Sequence, residues 1–416
     1  MTLTLSRREL LRASSLAAGF VGIGGGTLLL SACGSGSSGS GGGGGGGGSG
    51  PIKVGVVTDL TGAIGYAGKA NANIAKMVVD DLNAGGGLLG RKVALVVVDS
   101  ASDPKVGVTK ARELVEQHNV DIVLGGITSA MRDAIKSTIV DRGGKLYIYP
   151  QLYEGTECNK DIFCTGPTPN EQVTPFIPWL IKNGGSKFYL PSADYVWPHS
   201  LNKVVSDEVR KNGGTVVAEE YFPLDATDFG PTVSRIMSSG TNVVFTTVIP
   251  PGITPLLGQL YSAGFNKRGG RLACVYFDEN LLNVTPPEHM EGLASCLDYF
   301  QGVDDPFSQQ LAAKYQKQFP GGDARLAAGS AVTGMYRGLQ MWAAAVREAG
   351  SLDKEKVRSA LSHAKIDKGP GGPAQMVEGE NHVRMDMYIA VAKSGHYKVV
   401  ENLGAIDPKV CAGGLK

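Results

Sequence analysis

The residues IKVGVVT (52–58) form a short, unbroken run of mainly β-branched side chains. A run of this kind predicts a strand that is buried on both faces, as in a parallel sheet. A helical pattern follows at 68–84, where Ile74, Val78 and Leu82 recur at a spacing that places them on one helix face. A buried strand followed by an amphipathic helix is the unit from which doubly wound α/β folds are built.

The same alternation repeats along the chain and restarts near residue 170. Further strands are predicted at 92–98, 121–126, 145–150, 187–190, 214–219, 242–248, 271–277, 292–299, 383–392 and 396–402. Further helices are predicted at 104–118, 130–140, 171–183, 198–212, 229–239, 252–263, 305–319, 325–349 and 353–363. This order predicts an α/β fold with two Rossmann-like, doubly wound parallel-sheet lobes, between which the chain crosses more than once.

The composition excludes several classes of protein. The chain has 416 residues, with 40 Lys and Arg against 39 Asp and Glu, and a hydrophobic share of 42%. A net charge of +1 without a basic stretch argues against nucleic acid as a partner, because phosphate binding needs concentrated positive charge. The hydrophobic share is too high for a disordered chain. Six cysteines are too few for a scaffold that depends on disulfides.

The first fifty residues predict export and membrane attachment. A pair of arginines precedes a glycine-diluted apolar stretch at 16–30, which is the order of a twin-arginine signal. LSAC (30–33) resembles the lipobox of bacterial lipoproteins, whose cysteine becomes the lipidated N-terminus after cleavage; here that cysteine is Cys33. We therefore expect a signal over 1–33, a flexible Gly/Ser linker over 34–50, and a lipid anchor on the outer face of the cell membrane. A membrane-spanning anchor is the alternative, although a spanning helix needs ~20 apolar residues.

Four segments carry a resemblance to a known family. The first runs over 58–104 and contains the turn NAGGGLLGRK and the element D-x-x-x-D-P. The others are YPQLYEG (149–155), TGPTPNEQ (165–172) and SADYVWPHSLNK (192–203). The first segment resembles the opening of type I periplasmic binding proteins, the substrate-binding subunits of ABC importers for branched-chain amino acids and their relatives. The other three are similar to the branch of that family that binds urea and short-chain amides.

The resemblance implies two lobes that are joined by three crossovers and close on a small solute. It implies an N-lobe of 52–167 and 301–367, a C-lobe of 168–300 and 368–404, and a tail over 405–416. It also implies an exported monomer that needs no cofactor, performs no chemistry and delivers its solute to an ABC permease in the membrane. A ligand-gated amide or amino-acid sensor that signals to a regulator or receptor is the alternative function.

Ligands of open parallel sheets bind outside the carboxyl ends of the strands. This rule selects six loops, at 58–66, 126–130, 149–153, 192–198, 247–252 and 277–280. The resemblance points to the same loops, and the predicted ligand-binding residues are Tyr66, Thr128, Ser129, Tyr149, Gln151, Asp194, Tyr195, Trp197, Thr247 and Asp278. Tyr153 stands where amino-acid binders of the family carry a small hydroxyl residue, which weakens the assignment of a plain branched-chain amino acid.

Several of these residues have a purely structural alternative. Ser129 matches the family serine that contacts ligand, but it also stands where it could cap a helix. Tyr149 matches a pocket tyrosine of the amide branch or is a core residue, and Asp194 is a ligand contact or a helix cap. Thr247 either donates to the pocket or simply ends a strand. Asp278 is expected to pair with an ammonium group or to accept N–H bonds from urea or an amide.

The remaining predicted residues have more specific roles. Backbone N–H groups at the helix start near Thr128 attract carboxylate and carbonyl oxygens. Gln151 offers an amide that could bond urea or a short amide. The resemblance implies that the rings of Tyr195 and Trp197 close over the ligand, and that Tyr66 lies at a lid-like position.

No motif points to an enzyme or to a metal site. A G-x-G-x-x-G pattern at 85–90 follows a predicted helix and precedes a strand, which is the reverse of the order in a dinucleotide-binding turn. The six histidines show no paired metal-ligand spacing, and the sequence contains no G-x-S-x-G elbow. We therefore expect a binding protein without catalytic residues.

Five cysteines remain besides the one in the lipobox, so at least one of them has no partner within the chain. Cys158 and Cys164 are close in sequence and could pair. Cys274 and Cys296 lie on consecutive predicted strands and could also pair. Cys411 would then be free.

Overall fold

The computed structural model describes residues 50–320 and 330–416. The predicted signal, Cys33 and almost all of the predicted linker lie outside these residues. Within the described ranges, no helix is both long and apolar enough to cross a membrane.

The first part of the described chain alternates strands with helices. It forms β1 (Ile52–Thr58), α1 (Gly65–Ala84), β2 (Val93–Asp99), α2 (Pro104–Arg112), β3 (Ile122–Gly125), α3 (Ser129–Ser137), β4 (Leu146–Tyr149) and β5 (Ile162–Cys164). Helices α2 and α3 each continue into a π-helical turn, Glu113–Gln117 and Thr138–Arg142. Helix α2 begins where Asp103 accepts a hydrogen bond from the backbone N–H of Lys105 and proline occupies the first helical position.

The second part repeats this alternation, and the last part adds three helices and a set of antiparallel strands. The second part forms α4 (Pro169–Gly184), β6 (Lys187–Ala193), α5 (Val196–Lys211), β7 (Thr215–Phe222), α6 (Gly230–Ser238), β8 (Val243–Phe245), α7 (Ile253–Ser262), β9 (Arg271–Cys274), α8 (Glu279–Val284), α9 (Pro287–Met290) and β10 (Ala294–Leu297). The last part forms α10 (Pro306–Gln318), α11 (Ser330–Ala349), α12 (Lys354–Leu361), β11 (Lys365–Ile366), β12 (Ala374–Val377), β13 (His382–Lys393) and β14 (His396–Ile406).

The strand order confirms the predicted α/β, doubly wound fold. The main path of the sheet runs β2-β1-β3-β4-β5-β13-β10-β9-β8-β6-β7. The first series therefore has the order 2-1-3-4-5, and the second has the matching order 7-6-8-9-10. β1 is parallel to both of its neighbours, β2 and β3, and β6 is likewise parallel to β7 and β8. Each series turns in two directions from its first strand, as in a doubly wound sheet.

The two series meet through the long strand β13. This strand is antiparallel to β10 and β14, and it pairs with β5 at a single position, where His382 lies opposite Cys164. Within the described residues, a single residue pair therefore forms the strand pairing between the first series and the rest of the sheet. The residue bounds of the N-lobe and the C-lobe stay a prediction.

The predicted strands and helices correspond closely to those observed. The unpredicted elements, β5, α8, α9, β11 and β12, have six residues or fewer, which is too short for a recurring hydrophobic pattern. The predicted helix at 325–349 is described from Ser330 onward, where α11 begins. The apolar residues that predicted α1, Ile74, Val78 and Leu82, are at most 5% exposed and belong to the largest core cluster.

A glycine allows α11 to approach the end of β4. A Cβ atom at Gly334 would lie 2.1 Å from the backbone oxygen of Pro150, so no larger residue fits without a shift of backbone. The hydroxyl of Thr165 also donates to the backbone oxygen of Gly334, at 2.7 Å. This close approach holds in place the segment that carries Gln151.

The predicted pairing of the cysteines is wrong. Cys158 forms a disulfide with Cys411, and their Cα atoms are 5.7 Å apart. The tail reaches Cys158 because its backbone bonds to the same loop: Lys160 donates to Lys416, and Lys416 donates to the backbone oxygen of Cys158. Cys164 is instead a buried free thiol on β5.

Cys274 and Cys296 are also free and buried, although they lie on neighbouring parallel strands. Cys274 is in register with Ser295, so Cys296 is displaced by one residue. Successive side chains of a strand point to opposite faces of the sheet. The two thiols accordingly belong to different core clusters and cannot meet.

Candidate ligand-binding site

A cavity lies at the carboxyl ends of the parallel strands, where loops of the first and second series meet. Each of the six loops selected from the sequence contributes to its lining. The lining residues are Ile64, Tyr66, Ala67, Ile127, Thr128, Ser129, Gln151, Leu152, Tyr195, Trp197, Ile249, Tyr276 and Asp278. Its volume is about 90 Å³. For comparison, a cavity needs about 10–15 Å³ to hold one water molecule. The cavity therefore suits a small solute.

Aromatic rings form one wall of this cavity. The ring of Trp197 lies 6.0 Å from that of Tyr276 at 85°, an edge-to-face arrangement, and 6.2 Å from that of Tyr195. Edge-to-face rings at this separation stabilise each other and hold a defined orientation. The aromatic wall is thus packed before any ligand arrives. Tyr66 adds a fourth aromatic ring to the lining.

Two N–H groups in the lining are buried and lack a hydrogen-bond partner among the described residues. They are Nε2 of Gln151 and the indole Nε1 of Trp197, in side chains that are both 4% exposed. An unmade hydrogen bond at a buried donor costs ~1–3 kcal/mol. A ligand oxygen at either position would recover that free energy, so the cavity favours a solute with a carbonyl or carboxylate oxygen.

Asp278 supplies an acceptor at the start of α8. Its Oδ1 accepts hydrogen bonds from the backbone N–H groups of Asn280 and Leu281, at 3.0 and 3.3 Å. Burial raises the pKa of the Asp278 carboxyl well above its usual range, and the nearby Glu279 raises it further, although the backbone bonds oppose the shift. An ammonium or amide N–H from a ligand would stabilise the ionised carboxylate.

Ser129 begins α3 and is connected to a buried ion pair. Its hydroxyl donates to Oε2 of Glu154, whose other oxygen accepts from Nη2 of Arg132 at 2.6 Å. The side chains of Arg132 and Glu154 are 2% and 1% exposed. Thr128 caps the helix, because its hydroxyl accepts the backbone N–H of Met131 at 3.1 Å. Ser129 is therefore not the cap, which was its structural alternative.

Three predicted residues do not line the cavity. Tyr149 is a fully buried core residue whose hydroxyl donates to the backbone oxygen of Ile127 at 3.0 Å. Asp194 is exposed and forms an ion pair with His199 at 2.8 Å. Thr247 is buried two residues after β8, where its backbone N–H donates to the backbone oxygen of Pro191 at 3.2 Å and its hydroxyl has no partner among the described residues. Tyr149 therefore occupies the core position that was its structural alternative, whereas Asp194 neither lines the cavity nor caps α5. Ligand contact by these three residues stays a prediction that the lining of the cavity does not support.

The other seven predicted residues all lie together at the cavity, and their contact with a ligand stays a prediction. They are Tyr66, Thr128, Ser129, Gln151, Tyr195, Trp197 and Asp278. The departure from the family at Tyr153 has a structural explanation. Tyr153 is fully buried and turned away from the lining, with its hydroxyl against Nε2 of His382.

Six lining residues were missed by reasoning from the sequence. They are Ile64, Ala67, Ile127, Leu152, Ile249 and Tyr276. All but Ala67 and Tyr276 fall within the six selected loops, and apolar residues there have no chemical signal that separates them from core. Tyr276 lies two residues before Asp278, and its spacing relative to the strand end could have indicated it.

Glu380, His382 and Cys411 lie close enough together to be considered as a metal site. Cys411 is in a disulfide, which removes the thiolate that a metal would need. His382 is 1% exposed, and both of its ring nitrogens already have partners: Nε2 lies against the Tyr153 hydroxyl and Nδ1 lies 2.6 Å from the backbone oxygen of Glu380. We therefore assign no metal to this group.

Comparison with known proteins identifies relatives of this chain. The profile of the periplasmic binding protein family matches residues 51–396. A leucine-, isoleucine-, valine-, threonine- and alanine-binding protein of Pseudomonas aeruginosa is 26% identical over 320 residues, which is 74% of this chain and 82% of that protein. Leu/Ile/Val-binding protein BraC3 of Rhizobium johnstonii is 25% identical over 226 residues, 53% of this chain and 57% of that protein. The chain spans roughly half to two thirds of the length of several such relatives.

Solved structures agree in fold. A periplasmic binding protein from Burkholderia mallei superposes with a TM-score of 0.77 at 23% identity, covering 88% of this chain and 99% of that one. A solute-binding protein of an ABC transporter from R. palustris, in complex with benzoate, superposes with a TM-score of 0.76 at 18% identity, covering 87% and 99%. At these identities the likeness is one of fold alone. With the family profile matched over most of its length, this chain belongs to the periplasmic binding protein family.

Proposed function

We propose that this chain is the solute-binding protein of an ABC importer, and that it captures a small polar solute in the cavity between its two lobes. The protein is exported, attached to the membrane through Cys33, and delivers its solute to a permease after the lobes close. It is a binding protein and performs no chemistry. Two observations support this proposal. The chain belongs to the periplasmic binding protein family, and the relatives that it matches are named as amino-acid-binding proteins.

One observation carries the ligand assignment. Two buried N–H donors without partners, Gln151 Nε2 and Trp197 Nε1, share a small cavity with the buried carboxyl of Asp278. The solute that matches this set has an oxygen acceptor at one end and N–H groups at the other. Urea, short-chain amides and amino acids have this combination.

Isothermal titration calorimetry with urea, formamide, acetamide and leucine tests the assignment. We expect at least one of these solutes to bind, and Gln151→Leu to weaken its binding ~10-fold or more, because one polar contact is lost. Asp194→Asn is the matched control, since Asp194 was a predicted contact that lies outside the cavity. It should leave the affinity unchanged.

The aromatic wall favours adding benzoate to this titration, since a structural neighbour holds benzoate. Binding of benzoate with no response to the other four solutes would replace the proposed ligand class by aromatic acids. Failure of all five to bind folded protein would overturn the ligand assignment and leave the family intact.

Attachment is tested separately by cell fractionation. We expect the intact chain in the membrane fraction and Cys33→Ala in the soluble extracytoplasmic fraction, since that variant cannot be lipidated. An unchanged distribution of the variant would contradict lipid anchoring without affecting the ligand assignment.

A further inference from the structure

We infer that Glu154 is a positioning residue for ligand selection. It holds the hydroxyl proton of Ser129 away from the cavity, so that Ser129 offers only acceptor lone pairs and the site prefers a neutral amide to the carboxylate of the same shape. This inference rests on the proposed function, because it concerns which end of a small solute the cavity accepts at Ser129.

The direction of the Ser129 hydrogen bond follows from chemistry. A hydroxyl has one proton and two lone pairs, and an ionised carboxylate can only accept. Ser129 Oγ lies within hydrogen-bond distance of Oε2 of Glu154, so the proton lies between them. What Ser129 presents to the cavity is therefore the other side of its oxygen, which accepts.

Two further donors, Arg132 and Thr156, hold Glu154 in place behind Ser129. Nη2 of Arg132 donates to Oε1 of Glu154 at 2.6 Å, and Thr156 donates to the same oxygen at 3.1 Å. Both oxygens of Glu154 therefore act as hydrogen-bond acceptors, which agrees with the direction of the bond from Ser129. The Arg132 guanidinium is itself fixed between two rings, 5.1 Å from that of Tyr149 and 4.9 Å from that of Tyr153.

Other charges around this group are paired among themselves. Glu157 lies 3.7 Å from Nε of Arg132 and 3.1 Å from Nζ of Lys136, and Lys136 also pairs with Asp133 at 2.9 Å. None of these side chains lines the cavity. The group of residues that lies behind Ser129 therefore adds no positive charge to the lining itself.

The backbone at the start of α3 does favour an oxygen, because the first N–H groups of a helix have no partner within the helix. An amide satisfies both demands, with its carbonyl oxygen at the backbone N–H groups and its NH₂ at the Ser129 oxygen. A carboxylate satisfies only the first, since its second oxygen would face the lone pairs of Ser129. The expected preference for the amide is roughly 10- to 100-fold in dissociation constant.

Isosteric pairs test this inference by calorimetry: acetamide with acetate, propionamide with propionate, and benzamide with benzoate. The measured quantity is the ratio of dissociation constants, carboxylate over amide, within each pair. We expect a ratio of ~10 or more for the natural protein. Glu154→Gln should bring the ratio toward one, because its NH₂ can donate to Ser129 and turn the hydroxyl proton toward the ligand.

Two further variants separate selection from general damage. Glu157→Gln is the matched control, since Glu157 touches the same arginine but not Ser129, and it should leave the ratio unchanged. Ser129→Ala removes the acceptor and should lower the ratio even if Glu154→Gln does not fold. A uniform loss of affinity would leave the ratio where it was, so the ratio distinguishes positioning from a purely structural role.

A carboxylate that binds as tightly as its amide would overturn the inference and leave the proposed function standing. So would a ratio that persists in folded Glu154→Gln or in Ser129→Ala. Absence of binding by every member of the three pairs would overturn the small-amide ligand class and this inference together.

Discussion

The guanidinium of Arg337 donates to the carboxylate of Asp298, and both side chains are buried. Only 1% of the Arg337 side chain and none of the Asp298 side chain is exposed. Arg337 also donates to the backbone oxygen of Pro370 at 3.0 Å. Asp298 directly follows β10, and Pro370 lies between β11 and β12. The bond from Thr165 to Gly334 adds the segment after β5. Helix α11 thus holds all three segments that connect the predicted lobes.

We expect Asp298→Asn to lower the free energy of unfolding by ~3–5 kcal/mol, because it leaves the Arg337 charge buried without its partner. Urea denaturation at neutral pH measures the loss. Asp81→Asn breaks the exposed pair with Lys314, whose side chains are 42% and 46% exposed, and should cost less than ~1 kcal/mol. Equal effects of the two variants would contradict a structural role for the buried pair.

We expect the buried carboxyl of Glu171 to make the protein less stable as the pH rises. Its side chain is fully buried near Arg337 and Asp298. Burial raises the pKa of Glu171 to about 8, although the hydrogen bonds that it accepts from Thr168 oppose the shift. Between its ordinary pKa near 4.5 and about 8, the folded protein holds a proton that the unfolded chain has released. Stability from this group is therefore fully present below pH ~4.5 and is lost as the pH rises through 8, by up to ~1.4 kcal/mol per unit.

Glu171→Gln should remove this slope, because the amide does not titrate and resembles the protonated acid in shape. The free energy of unfolding of Glu171→Gln, minus that of the natural protein, should increase as the pH rises. Urea denaturation at pH 5, 6, 7 and 8 measures this difference. A difference that stays constant across this range would show that Glu171 is ionised in the folded protein.

Trp197 should report ligand binding by fluorescence. Of the three tryptophans, Trp342 is 2% exposed in the core and Trp179 stacks on Phe176, whereas Trp197 lines the cavity with a free N–H. A bound ligand changes the surroundings of the Trp197 indole and should change its emission. We expect the response in the natural protein and in Trp179→Phe, and its loss in Trp197→Phe. A response that survives in Trp197→Phe would contradict ligand contact there.

The disulfide between Cys158 and Cys411 joins residues 253 positions apart in sequence. Removing it with Cys411→Ser should lower the free energy of unfolding by ~2–5 kcal/mol, because the unfolded chain gains freedom. A reducing agent should have the same effect on the natural protein and on Cys164→Ala, but none on Cys411→Ser. Peptide mapping without reduction should recover the linked pair, and a link from Cys158 to Cys164 would contradict this pairing.

The strands, most helices and the loops around the cavity could be predicted from the sequence because each follows a local pattern. Side-chain direction could not be predicted in the same way. Tyr149 and Gln151 are two residues apart, yet one is core and the other lines the cavity. The pairing of Cys158 with a distant tail, and the one-residue offset that separates Cys274 from Cys296, depend on register and docking. A single sequence contains no direct signal of either.

The strand pairing between β5 and β13 is the sparsest in the described part of the sheet, because it consists of a single pair, His382 opposite Cys164. Bending along this line would disturb less backbone pairing than bending within either series, where neighbouring strands pair at two or more positions. Resistance to such bending would come instead from the side-chain contacts that α11 makes with the connecting segments. A single substitution in α11 could therefore alter how easily the two halves move, while both halves keep their own structure.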